Sequence, residues 1–177
     1  MTPAERLASA RLWAAYHYPY MASALFAVRF VSAENVGGVA ADEHFRIYVD
    51  HAQTSSWTSE LLGVEMVHQV GHLLRGHASR AREIGLVGDD LLHWVDSVDA
   101  EINDDLINTH VAPVDSALPV DLGLAPSLFA EEYFVKGERR AGTQRDCGSA
   151  AHGDPRQWEE PPPSSDIDGI RKGETDL

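Results

Sequence analysis

Two histidines four residues apart, His68 and His72, sit in the run Met66-Val67-His68-Gln69-Val70-Gly71-His72. No other feature constrains this chain as strongly. Residues i and i+4 of a helix share one face, a single turn apart, so two imidazoles at this spacing can reach one ion. The helix that would carry them is legible. Thr58-Ser59-Glu60 supplies a hydroxyl cap and an acid in the first turn, and the pattern predicts a helix from Ser59 to Arg75 that ends or bends at Gly76. Leu61, Val64, Val67, His68 and Leu74 are expected to face the interior and Glu60 the solvent.

A metal site needs a further donor. A second long helix is predicted over residues 89–109, with Leu92, Val95, Val98, Ile102 and Leu106 as its apolar stripe. Asp99 falls inside that stripe, whereas Glu101 falls with Ser97, Asp104, Asp105 and Asn108 on the polar side. A carboxylate facing a core is costly unless it is paired or binds a metal, so Asp99 is the expected third ligand. His77 is the second candidate; it would need the chain to turn at Gly76, and capping the helix C-terminus explains it equally well. Glu101 is the third. Asn103, one turn after Asp99, is placed to orient a ligand imidazole. A bare H-x-x-x-H is common by chance; the core-facing Asp99 and the order strand, helix, helix carry the metal reading. Two imidazoles and a carboxylate suit Zn2+ and leave a fourth position for water. The other histidines, His17, His44, His51, His93, His110 and His152, lack ligand-like spacing.

The motif H-E-x-x-H of zinc peptidases uses its Glu as general base on metal-activated water. Here Gln69 occupies that catalytic position. A carboxamide has nearly the shape of a carboxylate and can hydrogen-bond, but it cannot take a proton. Metal binding should therefore survive and hydrolysis should be largely lost. Glu65 lies a turn earlier, about 6 Å along the axis, too far to substitute. Gln69 reads either as an introduced Glu→Gln change or as a natural pseudo-enzyme. The intact remainder of the site favours the first.

The rest of the chain supplies the frame. Residues 3–17 read as an amphipathic helix with Leu7, Ala10, Arg11, Ala14 and Tyr18 along one side. Residues 22–31 read as helix giving way to strand near Ala27. Gly37-Gly38 marks a turn; Phe45-Arg46-Ile47-Tyr48-Val49 alternates as a strand, with Val36 to Ala40 as its hairpin partner. In zinc peptidases an extended substrate commonly adds along such a strand, so residues 45–49 are the expected substrate edge. Residues 111–126 are irregular, and residues 126–136 form a short helix docking through Leu128, Phe129 and Tyr133. The division expected is one domain over 1–136 that carries the histidine pair and a C-terminal extension over 137–177, partly irregular or disordered.

A net charge of −14 argues against nucleic-acid binding, which needs a dense basic surface. The single cysteine, Cys147, excludes an internal disulfide framework and fits a reducing compartment. Arg6, Arg11 and Arg29 interrupt every candidate signal or membrane segment. A soluble cytoplasmic domain is the expectation.

The runs Ala15-Tyr-His-Tyr-Pro-Tyr-Met-Ala, Asp42-Glu-His-Phe-Arg-Ile-Tyr-Val-Asp, Val67-His-Gln-Val-Gly-His-Leu-Leu-Arg-Gly-His and Asp99-Ala-Glu-Ile-Asn resemble a known family. It is the bacterial zincin-like metallopeptidase domain associated with von Willebrand A-like proteins. The resemblance covers most of residues 10–160, and the Cys147-Gly-Ser-Ala-Ala-His-Gly segment shares in it. It implies His68 and His72 as ligands, with the positions of Asp99 and His77 also characteristic. It further implies a protein or peptide substrate, and as partners a von Willebrand A-domain protein and a MoxR-type AAA ATPase. The expected fold is α+β, a small sheet on an active-site helix and a second ligand-donating helix. The expected activity is zinc-dependent peptide hydrolysis in a form disabled at Gln69. The alternative is a non-catalytic interaction module that keeps the fold.

Overall fold

The computed structural model describes residues 1–106, 113–141 and 145–163. The fold is α+β, mostly helical, with one small three-stranded sheet. Helix α1 (Pro3–His17) opens with a capping box: the Glu5 amide donates to the Thr2 hydroxyl, and the Thr2 amide donates to the Glu5 carboxylate at 2.7 Å. It buries Leu7, Ala10 and Ala14 in the core cluster shared with the helix of the histidine pair. Helix α2 (Ala22–Ala27) passes into strand β1 (Arg29–Ser32), as the sequence predicts near Ala27.

Strand β2 (Val39–Ala41) pairs antiparallel with β3 (Arg46–Val49), placing Ala40 opposite Tyr48; the hairpin is the expected one, with its first strand at Val39–Ala41 instead of Val36–Ala40. Strand β1 pairs parallel with β3 on its other side, and the order is β1-β3-β2. The expectation of a substrate edge at residues 45–49 is thereby corrected. β3 is hydrogen-bonded on both flanks and has no free edge; the edges of the sheet are β1 and β2. Alternation identifies a strand but not its place in the order.

Helix α3 (Ser59–Arg75) is capped by Thr58, whose hydroxyl accepts from the Leu61 amide at 3.2 Å. Gly76 ends it in the left-handed region (φ +61°). Helix α4 (His77–Glu83) starts at once in a new direction. Helix α5 (Asp89–Leu106) crosses α3 closely because Gly71 has no side chain; a Cβ there would lie 3.1 Å from the Ile102 side chain. The predicted residues 107–109 of this helix lie outside the described residues.

Three expectations fail in detail. Leu74 and Leu92 are 53% and 51% exposed. A periodic stripe marks a face but not how far the partner extends along it, and these leucines sit at the C-terminal end of α3 and the N-terminal end of α5. Helix α6 begins only at Ala130 (Ala130–Lys136), so Phe129 stands outside as an exposed cap residue while Tyr133 is buried.

From residue 145 the chain packs onto this body. Helix α7 (Ser149–His152) follows Cys147, which is buried with Ala151 against Ala81, Trp94, Val98 and Ala130. Trp158 lies on the Tyr48 ring, with centroids 5.1 Å apart. The tail beyond residue 163 lies outside the described residues. Among the described residues no helix is long and apolar enough to cross a membrane.

Candidate metal centre

Helix α3 presents His68 and His72 one turn apart, and α5 brings Asp99 up to both. The ring nitrogens Nε2 of His68 and His72 lie 3.1 Å apart, and Asp99 Oδ1 is 3.3 Å from the first and 3.4 Å from the second. All three side chains are buried. The three candidates are thus brought together at one point.

Their neighbours fix which atoms face that point. Asn103 Nδ2 donates to the Ala117 carbonyl at 2.7 Å, so Asn103 Oδ1 is left as an acceptor for His68 Nδ1–H at 2.9 Å. That proton leaves the lone pair of His68 on Nε2. His72 is arranged by a longer chain. Its Nδ1 lies 3.0 Å from Nδ1 of His77, and His77 Nε2 lies 3.5 Å from Glu101 Oε2. A proton on His77 Nε2 facing the carboxylate makes His77 Nδ1 the acceptor and His72 Nδ1–H the donor. The His72 lone pair then also sits on Nε2.

Burial pushes the His72 pKa well below its ordinary value, the Asp99 hydrogen bond offsetting only part, with His68 and His77 adding to the depression. Burial alone would raise the Asp99 carboxyl, but the charges and hydrogen bonds of His68 and His72 outweigh it and hold Asp99 well below the carboxylate range. A neutral imidazole and an ionised carboxylate are the protonation states a metal ligand requires. The hydrogen bonds that lower Asp99 need a proton on an imidazole Nε2; with that proton displaced and the tautomers set in this way, two lone pairs and a carboxylate oxygen converge on one point. A cation satisfies that arrangement, so the donor set fits a divalent metal.

His77 and Glu101, the competing ligands, lie behind His72. Gly76 supplies the turn that His77 needs, and the turn delivers it to the back of the ring. Glu101, expected in solvent, is half-buried. It accepts from Arg80 Nη2 at 3.0 Å and from the Ala130 amide at 2.8 Å, while Arg75 approaches to 3.4 Å. A helical wheel shows only one helix; α4 and α6 cover this side of α5.

Gln69 is buried, and its Nε2 donates to the Val39 carbonyl on β2 at 3.3 Å. Its Oε1 has no hydrogen-bond partner among the described residues. Glu65 is committed elsewhere, paired with Arg145 at 2.5 Å and accepting the Val114 amide at 2.6 Å.

Sequence reasoning missed one group. Cys147 Sγ lies 3.5 Å from His68 Nε2 and 3.6 Å from Asp99 Oδ1, and one ligand atom from each of His68, His72, Asp99 and Cys147 falls within 4.8 Å of the others. Burial pushes the thiol well above its ordinary pKa, and the Asp99 charge adds to this. Its chemistry as the chain's one cysteine was the available signal. A separation of 79 residues from His68 hid the contact.

A family described as "Putative metallopeptidase domain" matches residues 2–175, and the chain belongs to that family. No curated protein and no solved structure matches the chain.

Proposed function

We propose that this member of the family is a zincin-like domain that holds one zinc ion through His68, His72 and Asp99. The centre is of the peptidase type, with its hydrolytic step disabled at Gln69. The observation that carries the reading is the convergence of two imidazole lone pairs and a carboxylate oxygen, all buried, within 3.4 Å. Zinc bound there would polarise a scissile carbonyl and activate water. Asn103 holds His68 in register, and His77 with Glu101 does the same for His72. Gln69 can donate a hydrogen bond but cannot accept a proton. Glu65 cannot stand in, because Arg145 and the Val114 amide occupy its carboxylate.

The test is the metal content of the purified protein against His68→Ala and Asp99→Ala. About one zinc per chain, lost in both variants, is the expected result. Zinc retained in Asp99→Ala would remove Asp99 from the ligand set, and no metal under any loading condition would overturn the reading. Gln69→Glu is expected to keep the metal and, once Cys147 is also replaced by Ser, to add hydrolysis of an unfolded protein. The complete burial of the donors favours one competing reading, a metal-holding interaction module without catalysis. That module is left standing if metal-loaded Gln69→Glu cleaves nothing even with Cys147 also replaced by Ser.

A further inference from the structure

We propose that Cys147 is the fourth ligand of this centre, delivered by a strap, residues 145–148, that occupies the outer edge of β2. The inference rests on the reading of His68, His72 and Asp99 as metal ligands. Three protein ligands leave a tetrahedral zinc one open position, whereas four close it. Bonds of about 2.0–2.1 Å to nitrogen or oxygen and about 2.3 Å to sulfur put donor atoms about 3.3–3.6 Å apart along the edges of a tetrahedron. Five of the six separations here are 3.1, 3.3, 3.4, 3.5 and 3.6 Å, and the sixth is within 4.8 Å. The thiol is therefore spaced from His68 and Asp99 as a ligand would be, and its wider separation from His72 has to close as an ion draws the four donors together.

The backbone around it is built to hold this position. The Ala41 amide of β2 donates to the Cys147 carbonyl at 3.0 Å, and Arg145 Nη2 donates to the Val39 carbonyl at 2.8 Å. These are the β2 groups that an added extended peptide would use. The Arg145 side chain is 5% exposed and anchored by Glu65, and its Nη1 donates to the Val114 carbonyl at 3.1 Å. Asp146 accepts from the Gly148 amide at 2.9 Å and from Arg156 at 2.6 Å, which sets the turn after Cys147. At Gly148, with φ +81°, a Cβ would lie 2.3 Å from the Ala41 carbonyl oxygen, so only glycine lets the strap lie this close to β2. The nearby Gln69 carboxamide reaches the same stretch through the Val39 carbonyl.

The chemistry balances simply. The S–H bond breaks as the metal–sulfur bond forms, and one proton leaves to solvent. The closed centre has neither a position for water nor a free β2 edge for a peptide. The strap therefore acts as a tethered occupant of the site.

Cobalt(II) loaded into the full chain tests this directly, because Cys147 is the only possible source of a thiolate signal. The expected result is about one cobalt per chain with a sulfur-to-cobalt charge-transfer band in the near ultraviolet. Cys147→Ser should keep the cobalt and lose the band, and His68→Ala should bind none. Cobalt bound stoichiometrically to the unmodified chain without the band would overturn the fourth ligand and leave the three-ligand centre intact. No cobalt bound at all would overturn both.

Discussion

Asn103 decides which nitrogen of His68 faces the centre, although it would donate nothing to a bound metal itself. Its amide is held by the Ala117 carbonyl, so its oxygen can only accept, and the His68 ring is fixed in one tautomer. Asn103→Ala should lower metal affinity by about 10–100-fold, the usual cost of losing such a partner. Competition against a chelator of known affinity reads this, and an unchanged affinity would show that packing alone orients the ring. This part of the centre was legible in the sequence because it lies within two periodic helices. His68, His72, Asp99 and Asn103 each follow from helical spacing and the cost of a buried carboxylate. Glu101 did not, because its neighbours Arg75, Arg80 and Ala130 belong to three other elements. Cys147 did not because no period links it to His68.

The strap is the element the sequence could not place. Alternation identified β3 and its hairpin with β2, but register along a sheet says nothing about which strand is central or what covers an edge. The glycine that allows the strap to seat offers a test at this scale. Gly148→Ala forces a Cβ against the Ala41 carbonyl oxygen and the Trp158 ring, at 2.3 and 2.9 Å, in a backbone region that disfavours side chains. Gly85 has a similar φ of +70° but nothing within 4 Å of an added Cβ. Gly148→Ala should therefore cost about 1–3 kcal/mol by chemical denaturation, more than Gly85→Ala, and should weaken the cobalt–sulfur band. Equal losses at the two positions would mean that backbone strain alone, not the fit of the strap, sets the cost.

At the scale of the whole molecule the centre joins parts of the chain that lie far apart in sequence. His68 and His72 come from α3, Asp99 from α5 and Cys147 from the strap, so one ion would cross-link three segments spread over 80 residues, 68 to 147. The surplus of acid, −14 overall, adds self-repulsion that a bound dication relieves, and it raises the local concentration of cations. A ligand that binds only the folded state stabilises it by about 4 kcal/mol when its free concentration is a thousand times Kd. For a chain of this length each kcal/mol moves Tm by about 2–4 °C, so metal removal should lower Tm by about 8–16 °C. The measurement is a thermal melt of the zinc-loaded protein before and after chelation, with His68→Ala in parallel. That variant should melt at the same temperature with or without chelator, because it has no ion to lose. If chelation shifts both proteins alike, the stabilising metal sits elsewhere, and α3, α5 and the strap are held together by packing alone.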